Sequence, residues 1–383
     1  MAPKTPASQG FAMPAEWARH QATWLAWPHN VRDWPGKFAP IPWVYAEIVR
    51  VIARGELVRL MVEDAAAERK VRALLARVGA PLEAVEFHRF PTDRIWCRDA
   101  GPIWLVRGGR QPARAIAGFK FNAWAKYDDW KQDARTPSRA ARALGVPLLP
   151  MVHGGREVVL EGGAIDVNGA GSILTTEECL LDPAVQVRNP GFTRADYQRL
   201  FGDLLGAPNT IWLGRGIAGD DTHGHVDDLC RFVDARTIVL CREPDGGDPN
   251  HALLEENRER LEGARLQDGS RPEVVSLPMP APLTLDGQRL PASYANFYIA
   301  NGAVLVPTFN DPKDRVALGV LGELFRDRPV VGIHAVDLVW GLGTLHCLSQ
   351  QEPSTPTVDP DREVRGTDGG PRFGRGALRN PEG

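Results

Sequence analysis

Strand-like apolar runs and well-capped helices alternate along this chain, with roughly 60 to 70 residues between successive helices, and that spacing limits the folds open to it. Residues 57–62 form an apolar run. Asp64 then caps a helix whose Val71, Leu74, Leu75 and Val78 share one face, with Gly79 where a left-handed residue commonly ends a helix. Thr136-Pro137 opens another helix that ends near Gly145. Thr193 opens one through Leu205, Asn250 one through Leu261, and Asp311-Pro312 one through Phe325. The β-branched stretches 237–241, 273–277, 303–306 and 329–333 are bounded by turn residues and predict strands between them. The chain therefore reads as α/β with several strands per helix. No G-x-G-x-x-G stands at a strand-to-helix turn, which argues against a dinucleotide fold, and a repeated sheet-plus-helix unit arranged radially suits the spacing. With no linker in sight, residues 11–351 are expected to be one domain. Residues 1–10 are expected to be flexible, and 352–383, rich in proline, glycine and charge, a disordered tail.

Composition narrows the function by exclusion. Of 383 residues, 43% are hydrophobic and 24% charged, as in ordinary globular proteins, and a net charge of -3 gives no basic footprint for nucleic acid. The first ten residues hold no apolar core and no later run approaches a membrane span, so a cytoplasmic protein is expected. The five cysteines, an odd number without a C-x-x-C pair, fit a reducing compartment and neither a disulfide framework nor a zinc knuckle.

Four clusters hold residue types that do chemistry. The densest is Asp220-Asp221-Thr222-His223-Gly224-His225-Val226-Asp227-Asp228. If extended, it sends His223, His225 and Asp227 to one side. It reads as a solvated loop, as a His-x-His plus Asp metal site, or as a proton shuttle beside an anchor for a cation. Trp96-Cys97-Arg98-Asp99 precedes a Gly-Pro turn, where Arg98 and Asp99 either pair with each other or serve a site. Glu161-Gly162-Gly163 sets a carboxylate beside glycines that permit an unusual turn or a close approach. In 341–351, Cys347 is either an inert buried thiol or, with flanking glycines opening the backbone around it, a reactive one.

Taken in order, these clusters resemble the agmatine deiminase and bacterial peptidylarginine deiminase family. The likeness begins at Gly10-Phe11-Ala12-Met13-Pro14-Ala15-Glu16-Trp17 and 22–28, and continues through 96–102, 161–168, 221–227, 293–302 and 343–351. It implies the pentein fold, a five-bladed α/β propeller around a central polar pocket, and a small guanidino substrate, agmatine, with free or peptide-bound arginine as the alternative. It also implies a nucleophile at Cys347, an acid/base at His225, guanidinium-binding carboxylates at Asp99 and Asp227, and Glu161 supporting the histidine. Trp96 and Asn296 match pocket residues. Asp220 and Asp221 stand as carboxylates for the far amine, and His223, where many relatives have aspartate or asparagine, as a residue of the pocket mouth. No metal or organic cofactor is implied, and a homodimer is. A metal-dependent hydrolase and a non-catalytic binding propeller are the readings from other classes. His346 is given no proton-transfer role, because an extended segment would point it away from Cys347.

Overall fold

The computed structural model describes residues 4–356. Apart from two short hairpins, Val152–His153 with Arg156–Glu157 and Thr284–Leu285 with Gln288–Arg289, its strands fall into five units of one pattern: a first strand antiparallel to a second, a helix, and a third strand parallel to the second. A parallel pair needs a crossover, and the helix supplies it. Unit two runs Ile103–Arg107, Ala113–Gly118, helix Thr136–Leu144 and Leu148–Pro150. Unit three runs Asp166–Val167, Ser172–Thr176, helix Arg194–Leu200 and Asn209–Leu213. Cys230–Phe232, Thr237–Arg242, helix Pro249–Glu262 and Glu273–Pro278 make unit four. Tyr298–Ile299, Val304–Thr308, helix Asp314–Leu324 and Val330–His334 make unit five.

Unit one closes the cycle from both ends of the sequence. Its first strand, Gln350–Pro353, pairs antiparallel with His20–Ala26, which runs parallel to Leu57–Met61 after helix Ile41–Ile52. That helix buries Ile41, Tyr45, Ile48, Val49 and Ile52, an i, i+4, i+7, i+8, i+11 stripe. Each such aliphatic side chain contributes about 2 kcal/mol by burial. A further helix, Ala65–Arg77, and strand Val85–His88 extend this unit. Asp64 caps that helix, accepting from the Ala66 and Ala67 amides at 2.8 Å.

Three expectations need correction. The ordered chain continues past residue 351: Glu352 is fully buried and accepts from Trp24 Nε1 at 2.9 Å, Arg59 Nε at 2.8 Å and Arg114 Nη1 at 2.8 Å. Its composition reads as tail, but a buried carboxylate with three donors is satisfied. Residues 357–383 lie outside the described residues. The lead-in 1–10 contains a 3-10 turn, Ala7–Gln9, closed by Gly10 at φ 82°. The cap of helix Pro249–Glu262 is Asp248, which accepts from the Asn250 amide, whereas Asn250 is buried and accepts from Ala218 N.

The repeat also explains why the four sequence clusters belong together. Helix Cys97–Ala100, 3-10 turns Gly162–Ala164 and Val226–Asp228, and helix Leu345–Leu348 each stand just ahead of the first strand of a unit, as does Asn296 before Tyr298–Ile299. One local position, repeated five times, thus presents polar residues from all parts of the chain.

Candidate active site

A cavity of about 160 Å³ is lined by Trp96, Asp99, Trp124, Tyr127, Asp221 and Cys347, and continues outward past Asp33, Arg32 and Arg94. Cys347 lies on its floor, 6% exposed. Its Sγ receives Asn296 Nδ2 at 3.0 Å and is 3.8 Å from Asp227 Oδ2. Gly343 has to be glycine here, since a Cβ would come within 2.7 Å of Trp96 Cζ3. Asn296 organises this turn: its Oδ1 accepts from Thr344 Oγ1 at 2.8 Å and from the His346 amide at 3.0 Å. Sequence matching made Asn296 a pocket residue; its amide is spent on the Cys347 turn and on Asp228 Oδ1 at 2.9 Å.

His225 is fully buried on the far side of Asp227, with Nδ1 4.0 Å from Asp227 Oδ1 and 3.8 Å from Asp99 Oδ1. Its Nε2 is 4.0 Å from Glu161 Oε2, and Arg188 Nε donates to the other Glu161 oxygen at 3.2 Å. A Cβ on Gly163 would fall 2.5 Å from His225 Nδ1, so glycine permits this approach, and the Gly163 amide donates to Asp99 Oδ1 at 3.0 Å. Arg98 and Asp99 do not pair: Arg98 reaches Glu16 and Gln351, while Asp99 Oδ2 accepts from Trp124 Nε1 at 2.9 Å.

Burial sets the electrostatics, and neighbouring charge decides its outcome. Burial raises Asp99 to about 6, with His225 opposing and Asp227 and Glu161 reinforcing. Burial pushes Asp227 the same way, but its hydrogen bond to His346 and the charges of His346, His225 and Arg231 outweigh that and hold it below the ordinary value. Burial disfavours the charged form of His225, yet Asp99, Cys179 and Asp227 keep its pKa well above normal. The Cys347 thiol is pushed well above its usual range by burial and by Asp227, Asp228 and Asp99. Burial and the surrounding carboxylates therefore favour the protonated thiol at Cys347, and the carboxylates favour the protonated ring at His225.

Other expected residues sit elsewhere. Asp220 spends its carboxylate on its own loop, accepting from Thr222 N at 2.8 Å, Gly224 N at 2.7 Å and His225 N at 3.0 Å. It fixes the loop that carries His225 and does not line the cavity. His223 faces away: its φ of 64° breaks the extended run assumed for it, and Nε2 meets Asp182 Oδ2 at 2.9 Å. The ligand set His223, His225 and Asp227 is consequently not assembled. Asp221 does line the cavity, bonded to Tyr127 OH at 2.7 Å and to Lys126 Nζ. Sequence reasoning missed Trp124 and Tyr127. Ala123, Trp124 and Ala125 all have positive φ (50°, 59° and 53°), a strained arrangement that brings the indole to Asp99. Only the unusual density of aromatics in 119–130 signalled it.

Five sheet units around a cavity lined by the Cys347 thiol and the Asp99 carboxylate, with the His225 imidazole and the Asp227 carboxylate buried directly behind them, define a pentein enzyme of the class that hydrolyses C–N bonds of linear amidines. The chain belongs to the Porphyromonas-type peptidyl-arginine deiminase family, whose pattern matches residues 12–353. The agmatine deiminase of Stutzerimonas stutzeri is 34% identical over 375 residues, covering 91% of this chain and 97% of that protein. The solved agmatine deiminase of Enterococcus faecalis superposes with a TM-score of 0.83 at 27% identity, covering 92% of this chain and 98% of that one. A C. jejuni agmatine deiminase with substrate bound gives 0.79 at 28% identity, with 91% and 97% covered.

Proposed function

We propose that this enzyme is an agmatine deiminase, converting agmatine and water to N-carbamoylputrescine and ammonia through a covalent adduct on Cys347. The observation that carries the chemistry is the placement of Cys347 and His225 on opposite sides of Asp227, with Asp99 beside the histidine. A guanidinium is planar and cationic, and carboxylates match its N–H groups. Held between Asp99 and Asp227, its carbon lies over the sulfur, which lowers the entropy cost of attack. Its positive charge beside the sulfur opposes the carboxylates that hold the thiol protonated, so substrate entry favours loss of the Cys347 proton to solvent. The thiolate adds to the guanidinium carbon. His225, already protonated, donates its proton as the C–N bond breaks and ammonia leaves, giving a thiouronium. Neutral His225 then takes a proton from water, the hydroxide adds to the same carbon, and the C–S bond breaks as the hydroxyl proton passes to solvent, releasing N-carbamoylputrescine and the thiolate.

Agmatine is favoured over arginine by the outer wall. Arginine carries a carboxylate there and agmatine only an ammonium. Of the two cations lining that wall, Arg94 is paired with Asp33 at 2.8 Å and Asp129 at 3.1 Å, and Arg32 with Asp129 at 3.0 Å. By contrast, Asp33 Oδ2 is buried and has no hydrogen-bond partner among the described residues. The relatives named as agmatine deiminases point the same way. All five cysteines are free thiols, which supports a reducing cytoplasm as the setting. Among the described residues no helix is long and apolar enough to cross a membrane.

Ammonia release from agmatine, arginine and a short arginine peptide tests this reading. Agmatine is expected to be the best substrate, and Cys347→Ser to lose at least about 10⁴-fold in kcat. Comparable turnover in Cys347→Ser would rule out the thiol route. A preference for arginine would move the assignment within the family.

A further inference from the structure

His346 precedes Cys347 in the helix Leu345–Leu348 and is 2% exposed. The segment is helical, not extended, and it aims the ring inward. His346 Nδ1 is 2.6 Å from Asp227 Oδ2, and Nε2 is 2.7 Å from Glu16 Oε2. Glu16 arrives on an N-terminal strap that crosses units two and three, where Ala12 bridges to Val106 and Met13 N donates to Leu205 O. It cannot turn away. Its Oε2 also accepts from Arg98 Nη2 at 3.0 Å, and its Oε1 accepts from Ile299 N at 2.8 Å and pairs with Arg231 Nη2 at 3.0 Å. The arginines are themselves anchored, Arg98 to Gln351 Oε1 at 2.8 Å and Arg231 to Phe297 O at 2.9 Å.

The ring is therefore wedged between two fixed carboxylates. Burial works against ionised Glu16, but Arg231, His346 and Arg98 hold it well below the ordinary carboxylate range, and Asp227 is held low as well. An imidazole that faces an ionised carboxylate from each nitrogen can donate to both only with a proton on each. Asp227 uses Oδ2 for this contact, and its buried Oδ1 has no hydrogen-bond partner among the described residues.

We propose that His346, braced by Glu16, sets the orientation of Asp227 and leaves Asp227 Oδ1 free for the substrate guanidinium. It is a positioning residue and takes no part in proton transfer. The inference rests on the guanidinium reading of the site. It also accounts for the Met-Pro-Ala-Glu-Trp segment at 13–17, which does not line the cavity yet is tied to the site through Glu16 and His346.

Alkylation of Cys347 by two reagents tests it: iodoacetamide, which is neutral, and chloroacetamidine, whose cationic amidine resembles the substrate. Wild-type enzyme is expected to react faster with the amidine. In His346→Gln that preference is expected to fall roughly ten- to a hundredfold, the range for one charge-assisted hydrogen bond, with the iodoacetamide rate changed by less than about threefold. The KM for agmatine should rise by a similar factor and kcat should change far less. Glu16→Gln should shift the same ratios in the same direction by a smaller factor. A fall in kcat with KM and reagent preference unchanged would make His346 an acid or base and overturn the proposal. Unchanged preference in any correctly folded variant at either position would overturn it too, so loss of folding in His346→Gln leaves Glu16→Gln and His346→Asn to decide. If wild-type enzyme shows no preference for the amidine, the guanidinium reading falls and the inference with it.

Discussion

Asp99 and Asp227 occupy corresponding turns of units two and four, are both buried, and are both brought to His225, yet their surroundings treat them oppositely. Among the described residues Asp99 accepts hydrogen bonds from neutral donors, the Trp124 indole and the Gly163 amide, and burial lifts it to about 6 against the opposing charge of His225. Asp227 faces a histidine that is itself backed by a carboxylate and two arginines, and it stays low. The pattern repeated by the fold supplies the place, and the partners a turn recruits decide what the same side chain does there. Asp227 is the carboxylate that its partners hold toward the ionised form. Asp99 is the carboxylate whose ionisation responds to pH and to the charge of what binds.

Exchange of each aspartate for asparagine is the strongest way to break this comparison. Asp227→Asn should lose about 10³-fold in kcat/KM for agmatine, because it removes a substrate contact and leaves the His346 end of a buried pair uncompensated. Asp99→Asn should lose less, about 10²-fold. Equal losses would mean that the two environments do not matter.

The pH profile sharpens it next. A carboxylate raised to about 6 is ionised above that pH and protonated below it, so kcat/KM should fall on the acid side of about 6. That limb should be missing from Asp99→Asn and retained in Asp227→Asn. Trp124→Phe removes a hydrogen bond that favours ionised Asp99; it should cost about tenfold in kcat/KM and move the limb upward. The smallest effect is expected at the outer wall, where Asp221→Asn should raise the agmatine KM by only about threefold, since Lys126 and Tyr127 already occupy its oxygens.

Much of this was legible in the sequence. The caps at Asp64 and Thr193, the Thr136-Pro137 helix start and the spacing between helices follow from local chemistry, and they are compatible with a repeat before any contact is known. The clusters that hold Cys347, His225, Asp99, Asp227 and Glu161 stand out by residue type, the resemblance to the deiminase family singles out these five, and the structure brings all five together. Side-chain direction was harder. The run from His223 to Asp227 looks extended on paper, but a left-handed residue at His223 and a 3-10 turn at Val226–Asp228 separate the two histidines. Asp220 looks like a free carboxylate until its loop is folded around it. Glu352 resembles tail because composition does not report that Arg59, Arg114 and Trp24 wait for it in other strands. The link from Glu16 to His346 spans almost the entire chain, and no local pattern encodes it.

The central claim is that a carbon of the substrate becomes bonded to Cys347 during turnover. Acid-quenching the enzyme while it consumes agmatine, digesting it and weighing its cysteine peptides tests this directly. The account predicts that the Cys347 peptide alone gains the mass of agmatine less ammonia, and that the gain disappears once substrate is exhausted. Rapid turnover with Cys347 unmodified at every quench time, or an adduct on another of the five cysteines, would contradict it.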